Sequence, residues 1–122
     1  MASIEVKNFD SPDETRPFEG NGKALIVKVG DREFGKGVFE PGWTWHGNVK
    51  PIAGTDSCQF HHLMYVVSGR MRIMMNDGSQ AEVGPGDVAS IPPGHDAEVI
   101  GDEACVTIDV GEGGAIDYAK PS

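Results

Sequence analysis

The feature that most restricts how this chain can fold is its punctuation. Seventeen glycines and eight prolines are spread through 122 residues. They cut the chain into short segments rich in Val, Ile, Met and Phe, with little helical periodicity between them. Residues 23–29 (KALIVKV), 32–40 (REFGKGVFE), 42–46 (GWTWH) and 60–68 (FHHLMYVVS) predict strands. So do residues 70–75 (RMRIMM), 80–83 (QAEV), 88–91 (VASI), 96–100 (DAEVI) and 104–110 (ACVTIDV). Asn76-Asp77-Gly78 is a hairpin signal, because these residues tolerate positive φ. GPGD at residues 84–87 predicts a tight turn and PPG at residues 92–94 a corner. Many short antiparallel strands joined by tight turns predict an all-β domain, a jelly roll or barrel.

The length allows one domain, residues 1–122, and no second core. Residues 9–22 are polar and rich in Gly and Pro, and residues 111–122 are small and polar, so both ends read as loops or edge segments. A net charge of -9 argues against nucleic acid and anionic membranes as partners, since both require a Lys/Arg-rich face. The N-terminus has no apolar core after a basic start, and no apolar run is long enough to span a bilayer, so a cytoplasmic location is expected. Cys58 and Cys105 then read as free thiols rather than a bridge.

Together EPGWTWH, YVVSGRMRIMMNDG, EVGPGDVASIPPGHDAEV and CVTIDV resemble a small single-domain cupin over about residues 37 to 110. The resemblance implies a double-stranded β-helix (jelly-roll) barrel over about residues 23–110, with an N-terminal extension 1–22 and a C-terminal tail 111–122. Gly69 closes the family's first motif, and Gly86, Pro92 and Gly94 fall at the spacing of its second. At the family's metal-ligand positions stand different residues: Asp56 and Cys58 for the two His of the first motif, His62 for its Glu, and Ala97 for the last His.

Asp56, Cys58 and His62 nevertheless keep ligand chemistry. Strand alternation turns residues 56 and 58 to one face and puts His62 inside with Met64 and Val66, while His61 faces out. His95, two residues before Ala97, faces inward near the rim. Metal candidates are therefore Cys58, His62, Asp56 and His95. Thiolate, imidazole and carboxylate together suit one divalent transition metal, Zn, Fe or Ni, rather than Mg or Ca. The plainer reading is a hydrogen-bonded interior histidine, a buried Cys58 and a turn aspartate. A third is a thiol activated by the neighbouring imidazole.

Trp43 and Trp45, on one face of the 42–46 strand, read as packing or as one wall of a barrel mouth, with His46 as a polar contact or an extra metal ligand and Met64 as adaptable lining. Arg70 and Arg72 should face outward together, able to pair with acidic residues of a neighbouring strand. Two functions follow: a barrel that binds a small molecule inside, with or without a metal, or a metal-dependent oxygenase, isomerase or lyase acting on a small organic substrate. A homodimer is expected, because SIEVKNF at residues 3–9 reads as a free edge strand.

Overall fold

Period-two alternation is what closes the molecule around its interior. In the computed structural model, which describes residues 3–111 and 116–120, β4 (His62–Ser68) buries His62, Met64 and Val66. Its other face exposes Leu63, Tyr65 and Val67. The same rule holds for β5 (Arg70–Met75), which buries Met71 and Ile73, and for β9 (Cys105–Val110), which buries Cys105, Thr107 and Asp109. On the outer side of β5, Arg72 pairs with Glu82 and Glu98, its partners across the two neighbouring strands.

The remaining strands are β1 (Glu14–Pro17), β2 (Gly22–Val29), β3 (Arg32–Phe39), β6 (Gln80–Val83), β7 (Val88–Ile91) and β8 (His95–Ile100). They form two antiparallel sheets, a six-stranded one in the order β1-β2-β3-β9-β4-β7 and a three-stranded one in the order β6-β5-β8. The fold is the expected all-β jelly-roll barrel. One core joins the sheets, with Ile26, Met64 and Val66 from the larger packed together with Met71, Ile73 and Ala97 from the smaller. Gly69, between β4 and β5, has φ +76, and a Cβ there would run into the backbone of Ala104 and Cys105. That close approach, as well as the turn, requires glycine at the end of the first motif.

Three local readings change. Residues 42–46 are not a strand: only Thr44 makes an isolated bridge, to Glu98. The chain instead enters α1 (Trp45–Asn48), then α2 (Lys50–Ala53), where a long loop was expected. Thr44 dictates this, because its hydroxyl caps the helix by accepting from Gly47 N while Asn48 Oδ1 accepts from Thr44 N. Trp43, just before the cap, and Trp45, the first helical residue, both end up inside, 2% and 1% exposed.

The described part of the C-terminal tail is loop, as the sequence suggests, and it is packed. Ile116, Tyr118 and Ala119 are buried, and the buried Arg16 of β1 donates to the carbonyls of Ile116 and Tyr118 at 2.8 Å each. The rest of that tail reading, residues 112–115 and 121–122, lies outside the described residues. Residues 3–9 form no strand in the isolated chain, and Ile4 and Val6 are 94% and 84% exposed. The first edge strand is β1, which pairs with β2. Among the described residues no helix is long and apolar enough to cross a membrane.

Candidate metal centre

A backbone bridge builds the first half of the site. Cys58 and His95 face each other as an antiparallel pair, with Cys58 N donating to His95 O and Gly94 N to Cys58 O, both at 2.8 Å. Directly opposed residues carry their side chains on the same face within reach of one another. His62, at the inner start of β4, completes the group: one ligand atom from each of Cys58, His62 and His95 lies within 4.8 Å of the others, and all three residues are buried.

Each histidine is fixed through its other nitrogen. His62 Nδ1 lies 3.1 Å from Asp109 Oδ1, and His95 Nδ1 lies 2.7 Å from the Pro92 carbonyl. Asp109 reaches His62 because it stands opposite Met64 across β4 and β9, a diagonal neighbour on the inner face. With both Nδ1 atoms engaged, each ring turns Nε2 to the cluster, and His62 Nε2 sits 3.8 Å from Cys58 Sγ. Two anchored imidazoles and a thiolate are the donor set and outer-partner pattern of a transition-metal site, so these residues fit such an ion.

Without metal, the same groups hold charge. Burial opposes charging of His62, but the Asp109 carboxylate and the Cys58 sulfur outweigh it and raise the ring to about 10. Burial would push the Cys58 thiol up, but hydrogen bonds from His62 and His95, reinforced by coulombic attraction, pull it to about 6. Cys105 goes the other way, to about 11, through burial and the nearby Glu103 carboxylate, as befits an inert core thiol. Both cysteines are free.

These opposite shifts predict an unusual pH dependence for the metal-free protein. The His62 contribution to stability is complete below the ordinary 6.5 and is lost as pH rises through about 10. The Cys58 contribution is complete above the ordinary 9.0 and is lost as pH falls through about 6. Between 6.5 and 9.0 the two slopes cancel, since folding there only moves a proton from sulfur to imidazole. Urea denaturation should show no slope from this pair across that window, whereas Cys58→Ser should lose stability steadily toward alkaline pH. Identical profiles for the two proteins would refute the thiolate-imidazolium pair.

Two expected site residues lie elsewhere. Asp56 is fully exposed, its carboxylate 3.6 Å from Lys50 Nζ. Strand alternation does not reach it, because residues 55–57 form a bend and only Cys58 is bridged. His46 also points outward, 3.8 Å from Asp96, because it follows Trp45 on a helix rather than a strand. Trp43, Trp45 and Met64 do line the interior. His61, just before β4, is half-buried, hydrogen-bonds Ser90 Oγ at 2.9 Å and is not one of the three converging residues. Asp109 and Tyr118 were not anticipated. Asp109 had a signal, an inward register shared with Cys105; Tyr118, in the tail with its ring centroid 5.1 Å from that of His62, had none.

Two spaces meet at the cluster. A small chamber of about 20 Å³ between the sheets is lined by His62, His95, Trp43 and Asp109 among others. An open cleft of about 620 Å³ is lined by Cys58, Phe60, Val49, Pro93 and residues of the tail. Trp45 and Tyr118 line both, and so form the partition.

A jelly-roll barrel with ligand-type side chains converging inside defines a class, and the comparisons agree with it. Residues 53–111, which contain the whole cluster, match the cupin domain family. The polyketide cyclase RemF from Streptomyces resistomycificus is similar in structure, with TM-score 0.62 and 18% identity over 88% of this chain and 78% of that one. A sugar phosphate isomerase of the cupin superfamily from Silicibacter pomeroyi gives TM-score 0.62 and 16% identity over 87% and 74%. Bacillus subtilis oxalate decarboxylase, a protein with Mn(II) centers, gives TM-score 0.54 and 23% identity over 86% of this chain and 28% of that one. At these identities the likeness is one of fold. No curated protein matches the chain in sequence. Residues 53–111 therefore form a cupin domain.

Proposed function

We propose that the protein is a cupin barrel that binds a small molecule at an interior transition-metal centre held by Cys58 Sγ and the Nε2 atoms of His62 and His95. The observation that carries this is the mutual approach of three buried ligand atoms within 4.8 Å. The anchoring of both imidazoles from behind supports it. The thiolate favours Zn, Fe or Ni over hard oxygen-seeking ions. A metal there would supply Lewis acidity, the chemistry that the enzymatic alternative, an oxygenase, isomerase or lyase, would use. Elemental analysis of protein grown with Zn, Fe and Ni supplied tests the proposal: close to one metal per chain is expected, and well under that count contradicts it.

One observation favours a second, metal-free reading. Cys58, His62 and Asp109 form a thiol-imidazole-carboxylate chain at 3.8 and 3.1 Å. Such a chain activates a nucleophilic thiol. Alkylation of metal-free protein near pH 7 would then consume Cys58 far faster than Cys105.

We also propose a homodimer. Ile4 and Val6 lie exposed on a segment with no strand partner among the described residues, and Leu63, Tyr65, Val67 and Val88 leave apolar surface on the outer face of the larger sheet. Light scattering at micromolar concentration should give twice the 13.0 kDa chain mass. A monomeric mass would sink the proposal.

A further inference from the structure

Among the described residues, four buried side-chain polar atoms have no hydrogen-bond partner: Trp43 Nε1, Trp45 Nε1, Thr107 Oγ1 and Tyr118 Oη. Three of them belong to residues that line the inner chamber. An indole N–H can only donate, and the phenol hydroxyl can also donate. A buried donor left unpaired costs about 1–3 kcal/mol, so this grouping calls for an acceptor oxygen. The chamber, about 20 Å³, has room for an oxygen-sized group. The adjoining cleft, about 620 Å³, has room for the rest of a small molecule. The candidate centre spans the same partition, since Cys58 lines the cleft while His62 and His95 line the chamber.

Charge then selects among acceptors. The Cys58 thiolate and Asp109 carboxylate together balance one divalent cation, so a carboxylate ligand would bring an uncompensated buried negative charge into a chain of net charge -9. Among the described residues of the cleft lining the one lysine, Lys120, already lies 4.0 Å from Asp117. Val49, Phe60 and Pro93 give the cleft apolar walls suited to a flat hydrocarbon body.

We infer that the ligand is a neutral carbonyl compound with an apolar body in the cleft and its oxygen directed through the partition to the donors of Tyr118, Trp45 and Trp43. This deepens the metal-centre reading and rests on it for the charge balance. Tyr118 is the binding residue of most consequence, since its segment is held by Arg16 through two carbonyls and the residue lines both spaces.

The chain has two tryptophans, so its ¹⁵N–¹H spectrum contains two indole N–H signals, both from the chamber lining. Zinc-loaded and metal-free protein are titrated with acetophenone, and with benzoate as an anion of similar size. Acetophenone should move at least one indole signal saturably, with benzoate at least about tenfold weaker. Tyr118→Phe should weaken acetophenone about fivefold, the equivalent of one hydrogen bond of about 1 kcal/mol, and leave zinc content unchanged. Zinc uptake without any saturable indole shift overturns this inference and leaves the metal centre in place. An indole shift by acetophenone in protein that takes up no zinc removes the metal centre and upholds the donor site. Benzoate binding as tightly as acetophenone, a comparison made on the wild-type chain alone, overturns the neutral-carbonyl assignment.

Discussion

Replacing Cys58 with serine is expected to lower metal occupancy by well over about tenfold, the scale on which even the outer partners of a metal site act. The neutral hydroxyl offers neither the charge nor the softness of a thiolate. His62→Ala and His95→Ala should do the same, since each removes one of the three converging ligand atoms. His61→Ala should leave occupancy unchanged, although His61 adjoins His62, because its ring bonds Ser90 rather than the cluster. Elemental analysis of the four variants checks both chemistry and register. If His61→Ala loses metal as fully as His62→Ala, the inner face of β4 has been assigned one residue out.

Removing the carboxylate of Asp109 should produce the largest loss of stability. Asp109 and His62 are each 8% exposed at the side chain, and their contact supports His62 at Nδ1. Breaking a buried pair by deleting one partner costs about 3–5 kcal/mol, because the other is left without compensation. That is a large share of the roughly 5–15 kcal/mol that holds a domain folded. Urea denaturation of metal-free Asp109→Ala measures it, with Asp56→Ala as the control. Asp56 is a fully exposed carboxylate beside Lys50, so its removal should leave the midpoint where it was. Equal effects from the two substitutions would mean that Asp109 does not carry His62.

The strands were legible because their apolar periodicity and their turns agree. The inward set His62, Met64 and Val66 follows from alternation alone, and Gly69, Gly86 and Gly94 mark turns that need positive φ. The rule failed where the backbone leaves the sheet. Asp56 lies in a bend, and Trp45 begins a helix that Thr44 caps, so period two misdirected Asp56 and His46. A local hydroxyl cap outweighed the β propensity of two tryptophans, which tertiary burial then satisfied in another way. Asp109 could have been read from its register with Cys105. Tyr118 could not, because its position depends on Arg16 reaching across the chain to two carbonyls of the tail, a contact with no periodic signature.

X-ray absorption at the edge of the bound metal tests the ligand set most directly. The proposed centre predicts one sulfur scatterer at roughly 2.3 Å and nitrogen scatterers from two imidazoles at roughly 2.0–2.1 Å for zinc. The sulfur shell should vanish in any metal retained by Cys58→Ser. A wild-type spectrum with only oxygen and nitrogen neighbours, or one lacking the imidazole pattern, would contradict a centre built from Cys58, His62 and His95.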